Sequence, residues 1–520
     1  MSIVLADKIC SAEHAVSLIK DNDPIASEGF TLFLQAEALS SALEKRFLAT
    51  GEPKDLTLVF SAMHGLSNKE GGIGHFAHQG LLKTIIGGYL GWFPEIGKLV
   101  LDEKVMVYNL PQGVISQLYR DIAAKRPGCI THVGLETFID PLSDGARVNS
   151  CTPPDFIERI QLGGKDWIWY KSFPIDIAFL SATAIDPYGN LVMDQEPFFG
   201  TSLSIAQAVH NSNGIVIAQV GKILDKPAHP HHIKVPGILV DKVVVGRPHE
   251  NSPIYASNFK PEFCLPSPAI TDQRKALEPL PMSPRRIITE RACDEIPGNA
   301  IVNLGIGMPE DIAKIAAEKN LLNNFTLTVE SGPIGGLPAS GLSFGAAVYP
   351  QAVINANAQF DFYDGGGLDY AALGAAQIDS FGNVNVSKFN HKIAGVGGFV
   401  NISQTAKIVV FCATFTVGGL EIEVSDGNLH ITQEGKFSKF VTAVEQISFS
   451  AKQALIKKQK VLYITERAVF QLGDTGLELI EIALGIDLER DILSLLDFRP
   501  VIRNLNKMSP HLFSKTAAKN

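Results

Sequence analysis

The sequence lacks the features that mark several large classes of protein. Its six cysteines are scattered without a CxxC pair, which argues against both a zinc ribbon and a disulfide framework. No apolar run is long enough to cross a membrane, and the first residues, MSIVLADKICSAEHA, have neither the basic start nor the apolar core of a secretory signal. These absences predict a protein of a reducing compartment, the cytoplasm, with no membrane association.

Concentrated positive charge is also missing. The chain has 45 Lys and Arg against 54 Asp and Glu, a formal charge of −9, and no long block of one sign. A net negative protein without a basic cluster repels phosphate backbones and anionic lipid surfaces. We therefore expect no nucleic-acid partner.

The chain has ample material for large buried sheets. Its 520 residues exceed a typical domain of ~100–150 residues several times, so two or more domains are expected. Hydrophobic residues make up 46% and charged residues 19%, a balance that excludes wholesale disorder.

An internal repeat organises the chain. Residues 176–190 are DIAFLSATAIDPYGN and residues 369–383 are DYAALGAAQIDSFGN, which share Asp, Ala, Leu, Ala, Ile, Asp, Gly and Asn in register. Residues 23–39 pair in the same way with 299–315, and 55–62 with 324–331. Each half repeats a strand, a glycine turn, a helix and a second strand. This order predicts an α/β fold of two similar open domains with largely parallel sheets.

A proline-rich segment separates the halves. Residues 251–284 contain too many prolines for a helix or a central strand, so we predict a linker there. An N-terminal domain over 1–250 and a C-terminal domain over 285–520 follow. Ser283 and Pro284 suit the N-cap and first position of the helix that opens the second half.

The two halves differ at one strand end. The strand FTLTV of the second half leads to Glu330 and the glycine-rich SGPIGG, where the first half has Ser61. Ligands of open α/β sheets gather at the carboxyl ends of strands. An ordinary glutamate is ionised at neutral pH and could act there as a nucleophile without a base. Glu330 could instead cap a nearby helix or pair with an arginine.

Two further segments could meet a substrate. The turn AGVGGF over 394–399 could direct main-chain N–H groups at a developing oxyanion, or could be an ordinary hairpin turn. In YNLPQG over 108–113, the amide of Gln112 could hold a carboxylate or carbonyl, or could satisfy loop backbone.

Taken together, these motifs resemble those of the class I coenzyme A transferases of the 3-oxoacid type. The likeness rests on Glu330-Ser331-Gly332 followed by PIGG, NLGIGMP over 303–309, PQG over 111–113 and GVGGF over 395–399. It extends over nearly the whole chain and is greatest to acetate or propionate CoA-transferases whose two subunit types are fused. It implies an alpha-subunit-like first domain and a beta-subunit-like second domain that carries the nucleophile.

The resemblance also implies roles for individual residues. Glu330 would be the covalent nucleophile, Gly397 or Gly398 would donate an oxyanion-hole amide, and Gln112 would contact the acyl or carboxylate group. A second amide near Gly65 and Leu66 is expected from SAMHGLSN, a segment that departs from the family's usual sequence.

The activity implied is transfer of coenzyme A between a short-chain acyl-CoA and a small carboxylate, of the acetate, propionate or acetoacetate type. It would follow ping-pong kinetics through an acyl-glutamyl anhydride and a glutamyl-CoA thioester, in a cleft between the two domains. Coenzyme A would be a substrate, with no permanently bound cofactor and no metal. The chain would form a homo-oligomer, a tetramer or a dimer.

Other functions remain open at this point. Gly305 and Gly307 follow a strand and open a helix, with Glu330 at the end of the next strand, which is typical of a dinucleotide-binding oxidoreductase. Glu310, however, would set a negative charge beside the pyrophosphate. A metal site could use His229, His231 and His232, or His75 and His78. A non-catalytic scaffold is the third possibility.

Overall fold

The chain folds into two compact units, each built on a largely parallel sheet. The computed structural model describes residues 3–66, 71–247, 249–250, 259–266, 279–390 and 392–514. The first unit comprises residues 1–267, 329–361 and 390–401, and the second comprises residues 268–328, 362–389 and 402–520. The boundaries predicted at 250 and 284 stay a prediction.

The sheet of the first unit is parallel through its centre. Its strands are β1 (Pro24–Ser27), β2 (Leu56–Phe60), β3 (Leu82–Gly87), β4 (Met106–Asn109), β5 (Ile177–Ile185), β6 (Leu191–Val192), β7 (Ile215–Ile223), β8 (Ile233–Val235) and β9 (Lys242–Val245). The order is β8-β6-β5-β1-β2-β3-β4, and β7 lies between β5 and β9. The short strand β6 pairs antiparallel with both β5 and β8, and the other pairs are parallel.

The sheet of the second unit repeats this design. Its strands are β10 (Ala300–Leu304), β11 (Phe325–Thr328), β12 (Tyr370–Gly374), β13 (Ile408–Cys412), β14 (Lys460–Ile464), β15 (Ala468–Gly473), β16 (Gly476–Ile482) and β17 (Asn506–Lys507). They follow the order β11-β10-β12-β13-β14-β15-β16-β17. Pairs from β11 to β14 are parallel, and β15 pairs antiparallel with both of its neighbours.

The strand order confirms the duplication predicted from the sequence. The parallel series β2-β1-β5-β7-β9 in the first unit matches β11-β10-β12-β13-β14 in the second. The α/β class and the largely parallel sheets are therefore as predicted.

Helices connect and cover the strands. They are α1 (Ile3–Ala6), α2 (Ala12–Ser17), α3 (Glu37–Thr50), α4 (Pro94–Leu101), α5 (Gln112–Ala123), α6 (Ser202–Asn211), α7 (Pro284–Cys293), α8 (Ile312–Glu318), α9 (Ala356–Asp364), α10 (Phe399–Thr405), α11 (Ala451–Lys457) and α12 (Leu488–Asp491). Helix α7 begins as predicted, because the hydroxyl of Ser283 accepts from Arg286 N and Pro284 occupies the first helical position.

The remaining strands are short, and all except Pro333–Ile334 and Ala352–Val353 form small ribbons outside the two main sheets. They span Gly128–Thr131, Ile157–Leu162, Lys165–Lys171, Pro333–Ile334, Leu337–Pro338, Ala347–Val348, Ala352–Val353, Gln377–Asp379, Val384–Asn385, Lys388–Phe389, Lys392–Ile393, Thr416–Val417, Glu421–Ser425, Asn428–Gln433, Phe437–Ser438 and Phe440–Val441.

Apolar side chains from both faces of the central strands form the cores. In the first unit Ile25 and Leu58 on one face of the sheet and Val59 and Leu180 on the other are all buried, which is typical of parallel strands covered on both faces. Such strands end abruptly at the carboxyl edge of the sheet, where the loops that follow them are free to carry polar groups.

Candidate active site

The site residues predicted from the sequence all lie in one compact unit. Gln112, Gly65 and Leu66 come from the first half of the sequence, and Glu330, Gly397 and Gly398 come from the second half. All six belong to the first unit, because the segments 329–361 and 390–401 fold with residues 1–267.

Glu330 stands in a tight turn just past the end of β11. Gly332 N donates to Val329 O at 3.0 Å, so Glu330 and Ser331 are the two central residues of the turn. Gly332 has φ +131°, and a Cβ there would lie 2.0 Å from Ile354 O. Only glycine fits this position, which explains why the motif needs glycine two residues after the glutamate.

The neighbour of Glu330 is anchored to the main chain. The buried hydroxyl of Ser331 donates to Gly345 O, and a Cβ on Gly345 would meet the ring of Phe30 at 2.6 Å. Glu330 itself is 7% exposed. These bonds fix the main chain of the turn that carries Glu330.

Thr31 connects this region to the loop after β2. Its hydroxyl donates to Phe344 O at 2.8 Å, and its amide donates to Met63 O at 2.7 Å. Its carbonyl accepts from Gly65 N at 2.7 Å. Thr31 has φ +52°, an uncommon conformation for a non-glycine residue that these bonds sustain.

The glycine loop before α10 is held against the loop after β3. Gly397 N donates to Gly88 O at 2.8 Å, Leu90 N donates to Ala394 O at 2.7 Å, and Tyr89 pairs with Gly395 as an antiparallel bridge. The segment that the sequence left open as a hairpin turn therefore leads into a helix, since α10 begins at Phe399.

Gln112 opens α5 directly beside this loop. Its amide N donates to Gly397 O at 2.8 Å, and Gly113 N donates to Asn401 Oδ1 at 3.1 Å. A Cβ on Gly113 would meet the Asn401 side chain at 2.5 Å and the ring of Phe360 at 2.6 Å. Gln112 is 4% exposed, and its side-chain amide makes no hydrogen bond to another residue of the described ranges.

The two members of each proposed pair of amide donors differ in their hydrogen bonding. The N–H groups of Gly397 and Gly65 are bonded to Gly88 O and Thr31 O. Within the described part of the chain, the N–H groups of Gly398 and Leu66 have no hydrogen-bond partner.

Two buried titratable groups near these loops escaped the sequence analysis. Burial lowers the pKa of His64 to about 4, and its Nε2 is 2.8 Å from Ser27 Oγ. Burial also raises the pKa of Glu28 to about 7, although the amide and hydroxyl of Thr201 bind the carboxyl at 3.0 and 2.5 Å. His64 is therefore neutral at pH 7 and positioned as a structural group. The only signal in the sequence was a glutamate and a histidine just past two strand ends.

The candidate metal ligands are engaged elsewhere. His75 lies between Glu37 and Glu44, at 2.7 and 2.5 Å, and His78 binds Glu44 at 2.7 Å. In the ranges that the structure describes, no group of three or more His, Cys, Asp or Glu side chains could hold a metal ion, and His229, His231 and His232 are no exception.

The dinucleotide alternative also meets a physical obstacle. The amide of Gly307, which would have to face a pyrophosphate, donates to the carboxylate of Glu310. An anion at that helix start would be repelled by the same carboxylate. Among the described residues, no helix is both long and apolar enough to span a bilayer.

Comparisons with known proteins identify the family. Residues 9–246 match the coenzyme A transferase family. The chain is 40% identical over 513 residues to the acetate CoA-transferase YdiF of Escherichia coli (strain K12), covering 98% of this chain and 96% of the relative. It is 39% identical over 519 residues to the caffeate CoA-transferase of Acetobacterium woodii, covering 98% of each.

Solved structures support the same family. The acyl-CoA transferase YdiF from Escherichia coli O157:H7 superposes as apoenzyme with a TM-score of 0.91 at 39% identity, over 98% of this chain and 96% of the other. A thioester complex of that protein with CoA gives a TM-score of 0.91 at 38% identity, over 98% and 97%. These full-length relatives are transferases and give no support to an oxidoreductase that uses Gly305, Gly307 and Glu330. This chain is an enzyme of the coenzyme A transferase family, of the type in which both halves form one polypeptide.

Proposed function

We propose that this protein transfers coenzyme A between short-chain acyl-CoA and carboxylates by a ping-pong mechanism, with Glu330 as the covalent nucleophile. The observation that carries the proposal is a buried glutamate on a fixed glycine turn, in the same compact unit as two main-chain amides that no described residue occupies. The relative named acetate CoA-transferase supports a short acyl group, and the solved thioester complex of YdiF from Escherichia coli O157:H7 with CoA supports a covalent intermediate.

The first half-reaction needs no general base. The carboxylate of Glu330 attacks the thioester carbonyl, the C–S bond breaks, and CoA leaves as thiolate with an acyl-glutamyl anhydride remaining. The thiolate then attacks the glutamyl carbonyl, which releases the first acid as carboxylate and leaves a glutamyl-CoA thioester. A second carboxylate reverses both steps. No proton is gained or lost, so no side chain has to act as a base. This fits the state of His64, which is neutral and buried.

Each step passes through a tetrahedral oxyanion that needs donors. We assign the N–H of Gly398 as oxyanion-hole donor, with that of Leu66 as a second, because Gly397 and Gly65 already donate theirs to main-chain carbonyls. Removal of one such donor typically costs ~2.7–4 kcal/mol of transition-state stabilisation. The side-chain amide of Gln112 would bind the acyl or carboxylate oxygen.

Intact-mass analysis after mixing with acetyl-CoA tests the proposal. We expect a covalent CoA adduct that peptide mapping places on Glu330, and no adduct on Glu330→Gln. Exchange of CoA without any adduct on the wild-type protein would contradict it.

The acyl preference has a second candidate. Because one relative is named caffeate CoA-transferase, an aromatic acid is the rival to a short aliphatic one. Phe360 is a buried core residue that packs against Gly113. Comparing kcat/KM for acetate, propionate and caffeate as acceptors decides between the two classes.

The remaining proposals concern the setting of the enzyme. We propose a cytoplasmic homo-oligomer, tetramer or dimer, that holds no permanent cofactor and uses coenzyme A as substrate. All six cysteines are free, which supports a reducing compartment. Light scattering after gel filtration measures the assembly, and ultraviolet and metal analysis of the purified protein tests for a bound cofactor.

A further inference from the structure

The side chain of Asn109 joins three segments of the first unit at the proposed site. Asn109 ends β4 and is 2% exposed. Its Nδ2 donates to Gly87 O at 2.9 Å and to Gly88 O at 2.7 Å, and its Oδ1 accepts from Val396 N at 3.1 Å. Both amide hydrogens and the carbonyl are therefore used, and each bond goes to main chain.

Gly88 O is shared between Asn109 and the glycine loop. It accepts from Asn109 Nδ2 at 2.7 Å and from Gly397 N at 2.8 Å, so both of its lone pairs are occupied. The position of Gly397 therefore depends on the same carbonyl that Asn109 holds. A Cβ on Gly395 would lie 2.9 Å from both Asn109 Nδ2 and Gly88 O, which shows how closely the two loops approach.

Peptide planarity carries this restraint to Gly398. The C=O of Gly397 and the N–H of Gly398 belong to one planar trans peptide group and point in opposite directions. Since Gly397 O accepts from Gln112 N at 2.8 Å, the N–H of Gly398 points away from the start of α5. The two preceding peptide groups are fixed by the bonds of Val396 N to Asn109 Oδ1 and of Gly397 N to Gly88 O. Asn109 supplies one of these restraints directly and supports the other through Gly88.

We propose that Asn109 is a positioning residue for CoA transfer: it fixes the glycine loop so that the Gly398 N–H is aimed at the developing oxyanion before substrate binds. This inference rests on the proposed function. A donor aimed in advance stabilises the transition state more than the bound substrate, so its loss lowers kcat and leaves KM nearly unchanged.

The test compares Asn109 with an asparagine that bonds alike elsewhere. Asn149 Nδ2 also bridges two main-chain carbonyls, Val100 O and Val105 O, both at 2.9 Å, and it makes no bond to the glycine loop. Asn109→Ala and Asn109→Asp remove the two donated bonds, and Asn149→Ala and Asn149→Asp do the same at the control site. The readouts are kcat, KM for acetyl-CoA, and the single-turnover rate of the Glu330–CoA adduct by intact mass.

We expect both Asn109 variants to slow adduct formation by about 10- to 100-fold with KM within about 3-fold of wild type. The Asn149 variants should keep the rate within about 2-fold, even where their melting temperature falls equally. Folded Asn109 variants that match the Asn149 variants in rate, or that lose activity through KM, overturn the inference while the proposed function stands. A wild-type protein that exchanges CoA but forms no adduct overturns the proposed function, and the inference with it.

Hydrogen exchange on the wild-type protein keeps the inference testable if the variants do not fold. The amides of Val396 and Gly397 should exchange much more slowly than that of Gly398. Equal exchange at all three amides would show that the loop is not fixed, and the inference would be wrong.

Discussion

Some strand ends have kept the same residues and hydrogen bonds in both halves since the duplication, and others have changed. Asp186 accepts from Tyr188 N and Asn190 N at 2.9 and 3.0 Å, and Asp379 accepts from Phe381 N and Asn383 N at 3.0 and 2.9 Å. These turns are the same because the backbone needs the same partners in both units. By contrast, Ser61 and Glu330, which occupy equivalent positions at another strand end, differ.

Two buried glutamates that follow central strands, one in each half, have different surroundings. Glu28 follows β1 and is bound by Thr201, and Leu304 takes its place in the second half. Glu330 follows β11 on a glycine turn and has Ser61 as its counterpart. Burial alone therefore does not make a nucleophile, since burial at Glu28 favours the protonated carboxyl.

The largest expected effect separates the two glutamates by activity. Glu330→Gln should lower kcat at least about 10³-fold, because an amide cannot form the anhydride. Glu28→Gln should keep kcat within about 3-fold, because Gln can still accept from Thr201 N. A steady-state assay with acetyl-CoA and propionate measures both. Comparable losses in the two variants would erase the distinction.

A glycine in each kind of turn gives the next contrast. Gly332→Ala places a Cβ against Ile354 O at φ +131°, so the turn that presents Glu330 must shift. We expect kcat to fall about 10-fold or more. Gly189→Ala, at φ +83° with nothing nearer than 3.7 Å, should cost about 1–2 kcal/mol of unfolding free energy and leave kcat unchanged. An active Gly332→Ala enzyme would show that the turn need not be rigid.

The pH dependence of stability tests the buried state of Glu28. Its folded pKa of about 7 lies above the usual 4.5, so the folded state keeps a proton that the unfolded state loses. Stability from this group is lost as pH rises from 4.5 to 7 and stays lost above. Glu28→Gln should therefore raise the free energy of unfolding at pH 8, by up to about 3 kcal/mol.

The effect should be absent at about pH 4, where both states hold the proton. Urea unfolding of variant and wild type at both pH values isolates the group, because other titrations cancel in the difference. Glu423→Gln, at an exposed position, is the control. A constant difference between the two pH values would contradict a raised pKa.

The smallest expected effect concerns the loop at Glu330 and the loop after β2, which are held in place by different interactions. The loop at Glu330 is held by glycines, but the loop after β2 is held by charge: Glu37 accepts from Gly72 N at 2.8 Å and binds His75. Burial lowers the pKa of His75, but the bonds and charges of Glu37 and Glu44 outweigh it, and the net pKa is raised.

Stability from His75 is thus full below its unfolded pKa and lost as pH rises through the folded value. His75→Gln should lower the free energy of unfolding by about 1 kcal/mol at pH 6, with the loss shrinking at high pH. Thermal unfolding across this range measures it, and a loss that grows with pH would reverse the assignment.

The sequence predicted what local patterns and repetition encode. The duplication, the parallel sheets and the Ser283 cap follow from strand patterns and from short-range bonds. Glu330 could be singled out because one half of the chain served as a reference for the other.

Long-range pairing hid the rest. Whether Gly397 or Gly398 keeps a free amide depends on Gly88, some three hundred residues away in the chain. The role of Asn109 depends on the same approach of two loops, and the burial of Glu28 depends on Thr201. No spacing within a motif records such contacts.

Oxygen-label transfer tests the central claim, a covalent anhydride on Glu330, most directly. The protein turns over acetyl-CoA with ¹⁸O-acetate, and mass spectrometry follows the peptide that contains Glu330. An anhydride leaves its bridging oxygen on the glutamate when CoA attacks the acetyl carbon, so we expect one ¹⁸O to enter that side chain, dependent on CoA. Continued exchange with no label in Glu330 would mean direct transfer between substrates and would contradict this account.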